Sequence, residues 1–232
     1  MNAGNIISYT EMCLEEGYSL QRGMNYQVNG NMSVILMSQR PNASYPDRIE
    51  QNGQVLIYEG HDVPRNLAAV PKNVDQTAYT PSGKLTQNGK FYEAAIQYQQ
   101  DQKPAELVKV YEKIRDGIWV YNGIFELKDA WLEKIKAEKR KVFKFKLEIT
   151  DKKIKRKKVQ DVPTLEHNRM IPTSVKLEVW KRDKGQCVKC GKEDNLHFDH
   201  ILPFSKGGTS IKSENIQLMC ARHNLQKSNK LE

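Results

Sequence analysis

The sequence predicts an α+β chain in two parts, a strand-rich N-terminal domain of ordinary size and a small C-terminal module stabilised by zinc. Three observations carry that prediction. Short apolar runs bounded by Gly, Pro and Asn recur between residues 33 and 149, which is the pattern of strands rather than of long helices. Near the C-terminus Cys187, Cys190, Cys220 and His223 form two x2-spaced pairs, the spacing that presents four soft or borderline donors tetrahedrally to zinc. The charge is also lopsided: residues 1–101 hold 7 Lys/Arg against 10 Asp/Glu, whereas residues 102–232 hold 30 against 18, for a net +9. Such a basic half is a surface for a polyanion.

Taken in order, residues 9–20 hold a helical pattern with little chemistry in it. Residues 33–38 and 54–58 read as buried strands, the first leading into a loop at Arg40 and Pro41, the second ended by Glu59 and Gly60. The loop between them, residues 42–48, carries Tyr45 and Asp47. An aromatic ring and a carboxylate on a loop held by two strands can stack a planar group and hydrogen-bond its edge. Residues 61–106 are rich in turn signals, so loops and short hairpins are expected there, with a strand at 91–96. Further strands are expected at 107–111, 117–127 and 142–149. In the last of these Phe143, Phe145, Leu147 and Ile149 alternate with charged residues, which predicts one face on the core and a basic face in water. Residues 130–140 fit either a helical turn, through Trp131 and Ile135, or a long hairpin.

Residues 134–158 are the densest charge run, 13 Lys/Arg against 3 Asp/Glu. From Asp151 the run loses its apolar partners. The domain division is therefore 1–150 for the strand-rich part, 151–165 for a basic linker kept extended by like charges, and 166–232 for the small module. That module should open with a helix capped by Thr173 or Ser174, with Val175 and Val179 turned inward and Lys181 and Arg182 at its end. A strand at 196–201 follows, and Asn215 precedes a helix carrying Cys220, His223 and Asn224. A module this small buries too little apolar surface to fold comfortably alone, so its zinc should contribute directly to folding.

Asp199, His200 and Asn224 remain once the zinc donors are assigned. A carboxylate, an imidazole and an amide oxygen suit a hard divalent ion and a general base. Neighbouring positions on a helix point about 100° apart, so His223 can face zinc while Asn224 faces a cleft. Cys13 stands alone, which leaves no disulfide framework and agrees with a reducing cytoplasm. No stretch reads as a membrane span or a secretory signal.

The run of landmarks C-x2-C at Cys187 and Cys190, Asp199-His200-Ile201-x-Pro203, Gly207-Gly208, Asn215 and Cys220-x2-His223-Asn224 resembles the HNH (ββα-metal) endonucleases. His223 stands where many members have a fourth cysteine and keeps a zinc ligand there. The resemblance implies that Zn2+ is structural and that His200 deprotonates the water that attacks phosphorus. It further implies Mg2+ or Mn2+ held by Asp199 and Asn224, with Asn215 holding the catalytic loop and orienting His200. Arg222 and Lys227 are expected phosphate contacts, and His197 reads as a surface histidine on the strand face of Asp199.

Residues 20–150 resemble the SRA (SET- and RING-associated) domain of the PUA-like superfamily. The matching pieces are the strand at 33–38, Tyr45 with Asp47, Tyr58-x-Gly60, Asp75-Gln76, Leu85-Thr86 and Tyr121-Asn122-Gly123, where Asn122 replaces the family's Asp. The resemblance implies a twisted β-barrel with flanking helices that flips a modified cytosine from the duplex. Tyr45 and Tyr58 would sandwich the base, and Asp47 would accept from its amino group. Together the two resemblances imply a modification-dependent restriction endonuclease acting on double-stranded DNA that contains 5-methyl- or 5-hydroxymethylcytosine. Each HNH site cuts one strand, so a homodimer is expected. Two other readings stay open at this point, a non-catalytic modified-DNA binder with a zinc knuckle and an HNH nickase of other nucleic-acid specificity. The cut distance is not legible in the sequence.

Overall fold

The computed structural model of the chain describes residues 1–20, 22–30, 32–41, 43–150, 170–203 and 206–227. Asn42 and the expected linker at 151–165 lie outside the described residues. The N-terminal part contains β1 (Ile6–Ile7), α1 (Tyr9–Glu16), β2 (Met24–Asn25), β3 (Ser33–Met37), β4 (Arg48–Glu50) and β5 (Val55–Glu59). It continues with α2 (Gln87–Gln99), β6 (Leu107–Arg115), β7 (Ile118–Ile135) and β8 (Arg140–Thr150). These strands form one sheet in the order β2-β3-β6-β7-β8-β5-β4, with β1 added beside β7. Only β3 and β6 pair in parallel; the other ladders are antiparallel.

The sheet rolls up because every long strand carries an apolar face that must be covered. Ile35, Leu56, Val110, Phe125, Phe145 and Leu147 are fully buried in one cluster, which α2 caps with Phe91. Each such side chain contributes about 1.5–3 kcal/mol relative to exposure. The roll is closed by side chains. Asp47, just before β4, accepts from the Ser38 amide at the end of β3 (3.4 Å) and from the Glu59 amide of β5 (3.1 Å). The Tyr58 hydroxyl donates to Leu36 O at 3.5 Å across the same seam. Two strands far apart in the sheet order are thus joined through side chains, which brings the two ends of the rolled sheet together.

Three sequence expectations are corrected here. Residues 91–96 are helical, not a strand. Thr86 caps α2 by accepting from the Gly89 amide (3.1 Å), and Phe91 and Ala95, four apart, bury the same face. The basic face of β8 is only partly in water: Lys141 is exposed and Lys146 is 32% exposed, but the rest is buried. Lys144 is 2% exposed and donates to Glu59 at 2.7 Å, and Arg140, 1% exposed, lies between Asp62, Glu59 and Glu138. Neither Thr173 nor Ser174 caps its helix; Pro172 stands at the cap position with no side-chain bond. The ambiguous stretch 130–140 is the tip of the β7–β8 hairpin, whose register shifts at a bulge between Leu127 and Asp129.

The C-terminal module consists of α3 (Thr173–Arg182), β9 (Leu196–His200), β10 (Ile216–Cys220) and α4 (Ala221–Lys227), with β9 and β10 antiparallel. Cys220 ends β10 rather than riding on the helix. Val175 and Val179 point inward as expected, into a cluster that draws on both parts of the chain: Ile114 and Val120 from the barrel meet Val179, Phe198, Ile216 and Leu218. Backbone contacts reinforce this joint. Gly4 donates to Tyr121 O (2.8 Å) and accepts from the Phe198 amide (3.1 Å), so the N-terminal segment bridges the two sheets. Met170 donates to Gly53 O at 3.1 Å, and Gly53, at φ +91°, has no room for a side chain, since a β-carbon would come within 2.3 Å of Met170 O. Among the described residues no helix is long and apolar enough to cross a membrane.

Candidate functional site

The zinc donors converge. A tight turn after α3 supplies Cys187 and Cys190, the end of β10 supplies Cys220, and the first turn of α4 supplies His223. Their donor atoms all lie within 4.8 Å of one another. Zinc–sulfur bonds of about 2.3 Å in a tetrahedron place sulfurs about 3.8 Å apart. Cys190 Sγ and Cys220 Sγ are 3.8 Å apart, and His223 Nδ1 lies 3.5 Å from Cys187 Sγ and 3.4 Å from Cys220 Sγ. Burial raises the Cys187 thiol, but backbone amides of Cys220 and Lys189 and the His223 ring outweigh it and bring the pKa down to about 6. A thiolate at neutral pH is what zinc takes. The four residues fit the ion in number, chemistry and spacing.

A few ångströms of chain away, β9 ends in Asp199 and His200. His200 Nε2 lies 2.8 Å from Ser210 Oγ, a buried hydroxyl that fixes the ring. Burial lowers the His200 pKa; the neighbouring Asp199 opposes this and Lys227 adds to it. Asn215 holds the loop after β9: its Oδ1 accepts from the Leu202 amide (2.8 Å), and its Nδ2 donates to Leu202 O (3.1 Å) and Thr209 O (2.9 Å). The loop closes so tightly that a β-carbon on Gly208 would fall 1.8 Å from Leu202 O. Asn224 is half-buried in α4, while Arg222 is exposed, as a phosphate contact would be.

Lys227 is a correction. It is 3% exposed, donates to Asp199 Oδ2 at 2.5 Å and also donates to His200 O, so it does not project towards solvent for a phosphate. Gln217 donates to the same Asp199 oxygen at 3.2 Å. Asp199 and Asn224 carry oxygen donors of the kind a hard divalent ion takes. One of the two Asp199 oxygens is shared with the Lys227 ammonium. Ser210 and Lys227 belong to this site in ways sequence reading missed; only the short Gly-Gly-Thr-Ser loop hinted at the first.

The second cluster lies at the barrel seam. Tyr45 and Asp47 meet there, with Asp47 pushed up to about 7 by burial, against the pull of the two amides it accepts from. Tyr58 does not offer a ring face for stacking. It is 1% exposed, its ring is part of the main core, and its hydroxyl sits between Leu36 O and His61 Nε2 (3.4 Å). The aromatic partner of Tyr45 is His61, with centroids 6.1 Å apart at 29°, and Lys72 Nζ lies 4.3 Å over the Tyr45 ring. Burial holds the His61 pKa down to about 4, so the ring is neutral at pH 7. Asn88 clasps its backbone, donating to His61 O and accepting from His61 N, both at 2.8 Å. His61 stands three residues after Tyr58, and an aromatic, titratable residue so close to a suspected pocket was the signal to follow.

Residues 187–230 match the family model for HNH endonuclease. No curated protein matches the chain. Solved structures with a similar fold include the SRA domain of SUVH5 in complex with fully methylated CG DNA, at 22% identity over 66% of this chain and 92% of that one, with a TM-score of 0.46. The same domain bound to fully hydroxymethylated CG DNA aligns at 22% identity over 63% of this chain and 87% of that one, TM-score 0.44. The modification-dependent restriction endonuclease TagI aligns over 99% of this chain and 78% of its own, at 16% identity and a TM-score of 0.40.

Proposed function

We propose that this chain is an endodeoxyribonuclease that reads 5-methyl- or 5-hydroxymethylcytosine in duplex DNA and hydrolyses a phosphodiester bond nearby. The observation that carries the nuclease half is the interleaving of two donor sets in the stretch that matches the HNH model. Soft donors build the module, while Asp199, His200 and Asn224 are left for chemistry. For the reading half, the support is the order of Tyr45, Asp47 and the Tyr58 strand end, together with a half-buried carboxylate and stacked rings at one seam.

In the proposed mechanism Ser210 holds His200 through Nε2, leaving Nδ1 to take the proton from the attacking water. Asn215 keeps the His200 loop from shifting as charge develops. A Mg2+- or Mn2+-class ion held by Asp199 and Asn224 would, when bound, place positive charge beside the scissile phosphate. In the reading half, the flipped base would lie against Tyr45, and Asp47 would accept from the cytosine amino group through lone pairs its two amide donors leave free. A carboxylate acceptor favours cytosine over thymine, whose edge presents an oxygen there. A double-strand break needs two active sites, so the working unit is a homodimer.

The test is digestion of matched duplexes carrying cytosine, 5-methylcytosine or 5-hydroxymethylcytosine, with Mg2+ or Mn2+. Cutting confined to the modified duplexes is expected, and His200→Ala should bind them and leave them intact. Equal cutting of all three would remove the reader, and undiminished cutting by His200→Ala would remove the nuclease assignment.

A further inference from the structure

The sequence leaves the two modules joined by a basic tether, and a tether of about 15 residues samples about 21 Å even as a coil. At 3.4 Å per base pair that is about six base pairs of uncertainty in where a cut falls. The structure joins the modules differently. β3 runs out into Gln39, whose Nε2 donates to Asp47 O at 3.0 Å, on the loop of the proposed base pocket. The other end of the same amide, Oε1, accepts from Thr173 Oγ1 at 2.8 Å, on the first residue of α3 in the nuclease module. The Thr173 hydroxyl also faces a carboxylate oxygen of Glu112 on β6, a side chain with no exposed surface. Lys176, one turn further along α3 and 1% exposed, donates to Glu112 and to Asn122 Oδ1 (2.7 Å), and Asn122 donates back to Glu112 at 3.1 Å. This polar cluster lies beside the apolar layer that the barrel and the nuclease module share.

We propose that Gln39, Thr173 and Lys176 are positioning residues that, with Glu112, lock the nuclease module to the loop of the base pocket, so that cutting falls at a fixed offset from the base that is read. The proposal rests on the reading given above. A buried carboxylate is the reason the lock holds one geometry. Any slide of α3 along the barrel would leave the Glu112 charge buried without its ammonium partner, a state far costlier than loss of apolar contact alone. The Thr173 hydroxyl, its one proton shared between Glu112 and Gln39 Oε1, then ties the pocket loop to that same helix.

The experiment is end-label mapping of cuts on a duplex with a single 5-methylcytosine, using the full chain with its metals. The wild type should cut at one or two adjacent bonds per strand. Lys176→Met, which strands Glu112, and Thr173→Val should spread the cuts over at least threefold more positions, while the modified-duplex Kd, measured on a His200→Ala background, stays within twofold. Thr173→Ser should restore the narrow pattern. The double variant Glu112→Met/Lys176→Met removes the charge together with its partner, so it should regain the docked state and its stability yet keep the cuts spread, because the charge that penalises a slide is gone. A Lys176→Met pattern as narrow as the wild type's overturns the proposal, as does a scattered wild-type pattern. Small-angle scattering on the same proteins reads the joint without cleavage: Lys176→Met should raise the radius of gyration and the double variant should return it. Unchanged radii overturn the lock even if the chain cuts nothing, whereas loss of modification dependence with a rising radius would sink only the function proposed above.

Discussion

At the scale of single residues, Asp47 has a part in the fold beside the one proposed for it in the base pocket. Its carboxylate joins the ends of β3 and β5, and burial pushes its pKa up to about 7, above the ordinary value of about 3.9 for an unfolded chain. The folded state therefore holds a proton that the unfolded state gives up. The stability this group contributes is present below about pH 4 and is lost as pH rises through about 7. Denaturant unfolding from pH 4 to 8 should show that decline, and Asp47→Asn should flatten it; an unchanged slope would show that another group titrates. The ionised form, by contrast, is the better acceptor for the two amides and, in the proposed pocket, for a cytosine amino group. Binding of modified duplex to the His200→Ala protein should thus tighten by about tenfold from pH 6 to pH 8, and Asp47→Asn should lose that rise. The zinc donors and the Asp199-His200 pair were legible in the sequence, because ligand chemistry at fixed short spacing survives without knowledge of the fold. Tyr58, His61 and Lys227 were not, since burial decides whether a tyrosine is a stacking wall or a core residue and whether a lysine meets phosphate or carboxylate.

At the scale of elements, the strands were legible from alternation and the helix α2 was not. Its residues Phe91, Tyr92, Ala94, Ala95 and Ile96 make an apolar run with no clear period over six positions, and Asn88-Gly89 before it reads as a turn. What settles the matter is the Thr86 cap, which is local, and the burial of Phe91 in the main core, which is tertiary. Strand β8 misled in part for a related reason: its alternation was correct and Lys146 does reach solvent, but Lys144 and Arg140 are buried where they pair with Glu59 and Asp62. Breaking one partner of such a pair strands a charge. Lys144→Met should lower unfolding free energy by about 3 kcal/mol, and Glu59→Gln in the same protein should recover part of the loss; additive losses would mean that the two side chains do not act as a pair. The ββα unit makes the complementary case. A zinc ion on the four donors would tie α4 and the end of β10 to the turn after α3, beside the bond from the Val188 amide to Leu218 O (3.0 Å), so zinc chelation should melt this module while the barrel strands keep their far-UV signal, and Cys190→Ser should lower zinc content and the module's melting temperature together. A chelated protein with an unaltered melting curve would assign the fold of the module to its apolar cluster alone.

At the scale of the whole molecule, composition and structure give different answers about how the chain meets DNA. The surplus of 30 Lys/Arg over 18 Asp/Glu in residues 102–232 suggests a broad cationic surface. Yet Lys109, Arg140, Lys144, Lys176 and Lys227 all turn inward to carboxylates of the chain itself. Those five cations cannot release counterions from a phosphate backbone, so the electrostatic footprint is smaller than the charge count implies. If about four phosphates are neutralised by what remains, log K for duplex DNA should fall with log salt at a slope of about −4, losing about 200-fold between 50 and 200 mM. Titrations of the His200→Ala protein over that range measure the slope directly. A value near −8 would require the inward-facing lysines to leave their partners on binding, and would mean that the docked arrangement opens when DNA arrives. A slope near −4 for modified and unmodified duplex alike, with a constant offset between them, would instead place the whole preference for modification in the seam around Tyr45 and His61. The second pattern is the one expected, because in the proposed pocket the base would meet a ring stack and a carboxylate already engaged with backbone amides, and neither exchanges a phosphate counterion.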